Sequence, residues 1–230
     1  MNPPASGGPR DLSAALSALP LFPLPTVLFP GALLPLHVFE PRYRAMIRDV
    51  LDTHRALAVV LVTDPERVDE HGHPELARVA GAGIIVDHAE LPSGRFNILV
   101  RGRARVLLEE LPFGRPAFAG GTPLPYRRAH ATVLEPPAAD VPASDLSALI
   151  SSATAFAARV RERDPSFEFP LPKDAPAGVI ADLCAHHLVH DARERQAILE
   201  TLHPRARVGR VAEALALQRL TLSHDPKDMN

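Results

Sequence analysis

The residues best suited to chemistry are a group of histidines and one cysteine late in the chain. His186, His187 and His190 fall on one predicted helix. His186 and His190 have the i, i+4 spacing that can present two imidazoles to a metal ion. A zincin-type helix needs a Glu directly after the first His, and that place holds His187. Cys184 could be a third ligand only with local distortion, because i, i+2 positions do not face one another on a helix. The simpler reading is a solvated helix end with imidazoles near the negative pole of the dipole, and no bound metal is expected. His71-Gly-His73 sits in a charged stretch and reads the same way. Cys184 has apolar helical neighbours, Ile180 and Leu183, and no evident base, so it reads as a buried structural cysteine rather than a nucleophile.

A second set of residues could bind rather than react. Arg95, Arg101, Arg103 and Arg105 form a basic cluster along one strand region, extended by Arg127, Arg128 and His130. Such a cluster could meet an anionic ligand or RNA. However, Glu90, Glu109 and Glu110 lie near in sequence, and no aromatic residues interleave for base stacking. Glu40, Arg42 and Arg44 suggest an ion pair pinning the first helix to the strands. The apolar run Leu21–Phe39 is first of all core and turn; within it Phe22, Phe29 and Phe39 are candidates to line a surface groove for an apolar peptide.

These residues are carried by a simple order of elements. The proline-punctuated run from Leu19 cannot be a helix. It reads as two short strands, about Leu19–Leu24 and Leu33–Val38, with a turn at Pro30-Gly31. Pro41 opens a helix to about Leu51, with Tyr43, Met46, Ile47, Val50 and Leu51 in one apolar stripe. Ala56–Thr63 reads as a buried strand, Asp64–Leu76 as a charged loop, Ala77–Leu91 as a strand and Pro92-Ser-Gly as a turn. A long alternating strand follows to Glu110, interrupted at Gly102 by a bulge or corner. A last strand lies near Arg127–Leu134. Beyond Asp140 the period becomes helical: Ser144–Arg163, Ala175–His190, a short helix capped by Asp191 with Glu194 three residues on, and about Pro204–Leu222. Strands first and helices afterwards predict an α+β protein in two segregated parts. The expected divisions are a flexible tail 1–17, a β subdomain 18–138, a helical subdomain 139–224 and a tail 225–230.

The bulk numbers limit the function classes. The 230 residues suffice for a sizeable core, and the formal net charge of −2 gives no global pull towards nucleic acid or anionic membrane. One cysteine rules out an internal disulfide and fits a reducing compartment. No apolar run is long enough to span a bilayer, and the Pro/Gly-rich start does not read as a signal peptide; the expected location is the cytoplasm.

The runs Leu19-Pro-Leu-Phe-Pro-Leu, Leu28-Phe-Pro-Gly and Leu34-Pro-Leu-His-Val-Phe-Glu-Pro-Arg-Tyr-Arg resemble the opening of the Lon protease N-terminal domain. Val79-Ala-Gly-Ala-Gly-Ile, the stretch Gly94–Val106, Leu124-Pro-Tyr, Ile180-Ala-Asp-Leu and Arg195–Leu202 are similar to later pieces of the same domain. The resemblance covers about Leu19 to Leu222 and suggests a stand-alone bacterial member. It implies a PUA-like β pseudo-barrel followed by a helical bundle, and capture of unfolded or tagged protein as the inherited role. The chain has no G-x-x-x-x-G-K-[ST] phosphate loop. Its only lysines, Lys173 and Lys227, fall in a loop and a tail, poor settings for activating a catalytic amine. The expectation is therefore a non-catalytic protein- or peptide-binding module without cofactor, an adaptor or quality-control accessory, with a groove between strands and helices; the alternative is a small-molecule- or RNA-binding barrel.

Overall fold

The computed structural model describes residues 12–117, 119, 121–169, 171–172 and 174–223, with the backbone alone for 221–223. Residues 1–11 of the tail expected at 1–17, the tail expected at 225–230, and Lys173 and Lys227 lie outside the described residues. The chain forms two compact units that divide at Leu134/Glu135.

The first unit contains strands β1 (Leu19–Leu24), β2 (Leu33–Val38), β3 (Ala56–Val68), β4 (Pro74–Leu76), β5 (Val79–Leu91), β6 (Arg95–Glu110) and β7 (Arg128–Val133). Helix α1 (Pro41–Leu51) lies between β2 and β3. The neighbour order β1-β7-β6-β5-β3 returns on itself through a parallel β1–β3 pairing; every other pairing in the sheet is antiparallel. Alternate residues of these five strands point to one side, as a strand's two-residue period requires. They form a single buried cluster: Leu19 and Leu21, Ala56, Ala58 and Val60, Ala80, Ala82 and Ile84, Val106 and Leu108, Ala129 and Ala131. The abundance of alanine fits the tight interior of a small closed ring, where larger side chains from every strand would overfill the space.

Residues 12–17 are not a loose tail. Ser13–Ala15 make a 3-10 turn, Ala15 is buried in the ring's cluster, and Leu12 and Leu16 pack against it. Apolar side chains at this spacing gain more by covering the ring than by remaining solvated.

The expected loop Asp64–Leu76 is instead a ribbon. β3 continues to Val68 and β4 pairs back on it, with Val62 opposite Leu76 and Val68 opposite Pro74. Its turn is held by backbone bonds from Asp69 N to His73 O at 2.9 Å and from Gly72 N to Asp69 O at 3.0 Å. Gly72 sits at φ +74°, where glycine is favoured. The ribbon is mostly exposed, so its sequence lacks the one-sided apolar alternation by which strands are recognised.

The turn that contains Leu28-Phe-Pro-Gly lies across β5 and β6. A Cβ on Gly81 would stand 1.8 Å from the Leu28 carbonyl oxygen, and one on Gly102 would stand 2.1 Å from that of Phe29. Gly31 N and Gly102 N donate to Gly102 O and Ala32 O at 3.0 and 2.9 Å, which locks the turn to the sheet. This close approach explains the glycines of Val79-Ala-Gly-Ala-Gly-Ile and leaves Leu28 and Phe29 with no exposed surface.

The second unit contains α2 (Ala143–Arg163), α3 (Ala177–Leu188), α4 (Ala192–Glu200) and α5 (Pro204–Ser223). Leu149, Ala153 and Phe156 of α2, Ile180, Cys184 and Leu188 of α3, Ile198 and Leu199 of α4, and Val208, Val211 and Leu215 of α5 are buried. Asp191 caps α4, its side chain accepting from Glu194 N at 2.7 Å. Within this apolar setting Asp182 and Arg207 form an ion pair at 2.9 Å, each side chain only 3% exposed. Arg207 also donates to the carbonyls of Thr201 and Leu202 at the end of α4, which would otherwise lack partners. Among the described residues no helix is long and apolar enough to cross a membrane.

Candidate functional site

The most exposed aromatic side chain among the described residues is Phe39, at 61% of its full surface. It occupies the short link between β2 and α1. Glu40, the residue before Pro41, is extended (φ −66°, ψ 134°), as a residue preceding proline must be. The ring of His37 stacks on Phe39 at 6.2 Å with a 24° interplanar angle, and its Nδ1 lies 2.7 Å from Asn97 Oδ1 on the neighbouring strand. Leu33, at the other end of β2, is 40% exposed. β2 pairs with β6 on one side only. The bond from Gly102 N to Ala32 O sets the phase of this pairing. It turns the backbone of residues 33, 35 and 37 away from β6. Pro35, which has no N–H to donate, stands at one of these positions, as expected for an edge strand. The result is a strip with an apolar side chain at each end and an edge of carbonyl groups between them.

The other two predicted groove residues belong to the core. Phe22 is 5% exposed and packs on Tyr43 with ring centroids 4.7 Å apart, and Phe29 is fully buried beneath its turn. Proline-rich apolar sequence does not reveal which side chains the turn folds under. Helix α1 buries Tyr43, Met46, Ile47 and Val50, whereas Leu51 remains partly exposed. The expected pin is made differently. Glu40 pairs with Arg42 at 2.9 Å within the same exposed segment. Arg44 Nε instead donates to Gly94 O at 2.7 Å, and Arg48 reaches Glu90 at 3.3 Å and covers the Phe96 ring at 5.5 Å.

The arginine cluster does not assemble into one face. Register slips between Ala82/Ala104 and Gly83/Gly102, leaving Arg103 as an extra residue in β6. After this bulge the alternation restarts. Arg95, Arg101 and Arg103 are exposed, but Arg105 is 4% exposed and stands opposite Gly81, where the Leu28 turn crosses. Arg127 is committed to Glu110, with bonds of 2.8 and 2.6 Å, and to Pro74 O; Arg128 donates to Arg115 O and Pro116 O.

The histidines also separate. α3 ends at Leu188, Val189 is extended, and His190 therefore leaves the face that carries His186. Gln218 holds this exit, accepting from His190 N and donating to Leu188 O, each at 2.8 Å. His186 Nδ1 lies 3.1 Å from Arg195 Nη2. Burial, reinforced by Arg195, holds the His187 imidazole below its ordinary pKa. Among the described residues no group of three His, Cys, Asp or Glu side chains is placed to hold a metal. Cys184 is fully buried, and burial pushes its thiol up to about 12, so it stays protonated and unreactive at neutral pH. In the β3–β4 turn, Asp69 Oδ1 accepts from His71 N and His73 N, and Phe113 packs on both rings at 5.2 and 4.3 Å. These two histidines shape a turn.

One feature left no sequence signal. α4 and α5 enclose an open groove of about 680 Å³ lined by Asp191, Glu194, Gly209, Arg210, Glu213 and Leu217, among others. It joins residues from two helices whose individual apolar patterns say nothing about the space between them.

Two solved structures share the fold: a Lon N-terminal domain protein from Xanthomonas campestris (TM-score 0.56, 24% identity, covering 89% of this chain and 97% of that one) and the N-terminal domain of Lon protease from the Mycobacterium avium complex (TM-score 0.55, 17% identity, 86% and 98%). Among curated sequences, Lon proteases of Roseiflexus castenholzii and Anaeromyxobacter dehalogenans are 29% and 27% identical over 94% and 95% of this chain. The chain spans about a quarter (25%) of the length of each of these two relatives. The family model described as the ATP-dependent protease La (LON) substrate-binding domain matches residues 18–216, from the first ring strand into the last helix. The chain belongs to the Lon substrate-binding domain family.

Proposed function

We propose that the protein is a non-catalytic module that binds unfolded or peptide-like protein segments, with Phe39 as an anchor of the binding surface. The observation that carries this reading is a phenylalanine 61% exposed, stacked on His37 at the end of an edge strand, in a chain of a family named for substrate binding. An aromatic ring in water is unfavourable by roughly 2 kcal/mol relative to a buried one, so a partner that covers it gains that amount. Leu33 provides a second apolar contact, and the outward carbonyls of Pro35 and His37 can accept from an extended segment. The closed five-strand ring is read as a PUA-like barrel serving as a rigid frame for this surface. The role is that of an adaptor or quality-control accessory in a reducing, cytoplasmic setting, in keeping with the single buried thiol.

The test is fluorescence anisotropy with a labelled, reduced and carboxymethylated lactalbumin. Binding is expected in the micromolar to millimolar range, and Phe39→Ala should weaken it about tenfold. Absence of binding up to about millimolar concentration refutes the module reading, and equal binding by F39A refutes the assignment of the surface.

A further inference from the structure

We propose that the groove between α4 and α5 is a second docking site, independent of Phe39, for an apolar protein segment flanked by basic side chains. Three observations converge. Gly209 lies inside the twenty-residue helix α5, where glycine weakens a helix relative to alanine. Nothing in the fold requires it: a Cβ there would meet no atom within 4 Å. The space beside it is the groove itself, of about 680 Å³, and a glycine on its wall lets another backbone approach closely. The apolar surface continues along α5 through Leu217 and Leu220, which are 64% and 55% exposed.

The polar rim specifies the occupant's charge. Asp191, Glu194 and Glu213 line the groove against a single cation, Arg210, already bound to Glu194 at 2.7 Å. Glu194 first, with Glu200 and Glu213 also contributing, holds Arg210 above its ordinary pKa, as expected where carboxylates outnumber the guanidinium. Within the groove's own lining the carboxylates outnumber the cations, although the chain is nearly neutral overall. An apolar segment bearing lysine or arginine satisfies both floor and rim, whereas an acidic one is repelled.

The experiment uses the full chain and two short labelled peptides of equal length, one of leucine, alanine and arginine, the other with glutamate in place of arginine. At low salt the basic peptide should bind about tenfold more tightly than the acidic one, and the difference should narrow as salt is raised. Gly209→Phe, which fills the groove where space is open, should weaken the basic peptide about tenfold at an unchanged melting temperature. Glu213→Lys should reverse the preference, and it decides the matter if G209F does not fold. Phe39→Ala should leave the preference for the basic over the acidic peptide unchanged. Equal affinities for the two peptides, or no loss in G209F and E213K, overturn the proposal. If F39A abolishes binding while the groove variants do not, the peptide sits on the Phe39 surface: the groove proposal fails and the function proposed above stands.

Discussion

At the scale of single residues, the second unit depends on a charge pair placed where water cannot reach. Asp182 and Arg207 neutralise one another, and Arg207 also closes the end of α4 by donating to two carbonyls. Removing one partner leaves the other buried and unpaired, which is costlier than losing both. Asp182→Ala should lower the unfolding free energy by about 3–5 kcal/mol in urea titration. Cys184 gives a second prediction. With its thiol buried and its pKa pushed up to about 12, it should resist thiol-specific reagents in the native state and react fully in denaturant. Fast labelling of the native protein would show that α3 opens. The histidines predict the pH response. Burial holds His54 and His187 below their ordinary value of 6.5. The unfolded chain therefore takes up protons first as pH falls. The stability tied to the neutral imidazoles is complete above 6.5 and is lost as pH falls from there towards the folded-state values. The urea midpoint should be lower at mildly acidic than at neutral pH, and the double variant His54→Asn, His187→Asn should flatten that difference.

At the scale of elements, the first unit is organised by where backbone meets backbone. The Leu28-Phe-Pro-Gly turn rests on Gly81 and Gly102, with carbonyl oxygens where side chains would otherwise stand. Gly102→Ala should therefore destabilise the protein by about 2 kcal/mol or more, through displacement of the turn rather than any change in the strand's own preference. Differential scanning calorimetry checks this, with Gly209→Ala as the contrast: open space and a helical setting should make that variant neutral or slightly more stable. The same packing explains the phenylalanines. Of the three phenylalanines between Leu21 and Phe39, Phe29 is drawn under the turn, Phe22 is covered by Tyr43, and Phe39, beyond the end of β2, is left at the surface.

At the scale of the whole molecule, the family is one of substrate-binding domains, and the two surfaces proposed above lie one in each unit. The Phe39 strip is apolar, and the chain carries a formal net charge of only −2, so capture of an unfolded protein there should depend weakly on salt. The α4–α5 groove, with its negative rim, should show the opposite behaviour towards a basic segment. The purified chain, incubated with ATP and casein, should show no turnover above buffer, because its sequence lacks a phosphate loop. Turnover that survives repurification would contradict the non-catalytic reading.

The order and type of the elements were legible in the sequence because hydrophobic period and proline and glycine placement are local properties. β1, β2 and α1 have the bounds read from Leu19–Leu51, the bulge falls beside Gly102, and Asp191 caps α4. The resemblance to Lon was legible for the same reason, since it rests on contiguous runs. Burial and convergence were not. Period-2 reasoning put Arg105 with Arg101 and Arg103, but one extra residue in β6 turned it inward. A helical period carried His190 past Leu188, where the backbone had already become extended and Gln218, from α5, fixed it. The parallel pairing of β1 with β3 that closes the ring and the turn that hides Phe29 each join segments far apart in the chain, and the groove beside Gly209 depends on how two successive helices pack. Such contacts depend on the packing of whole elements, and only the tertiary structure could decide them.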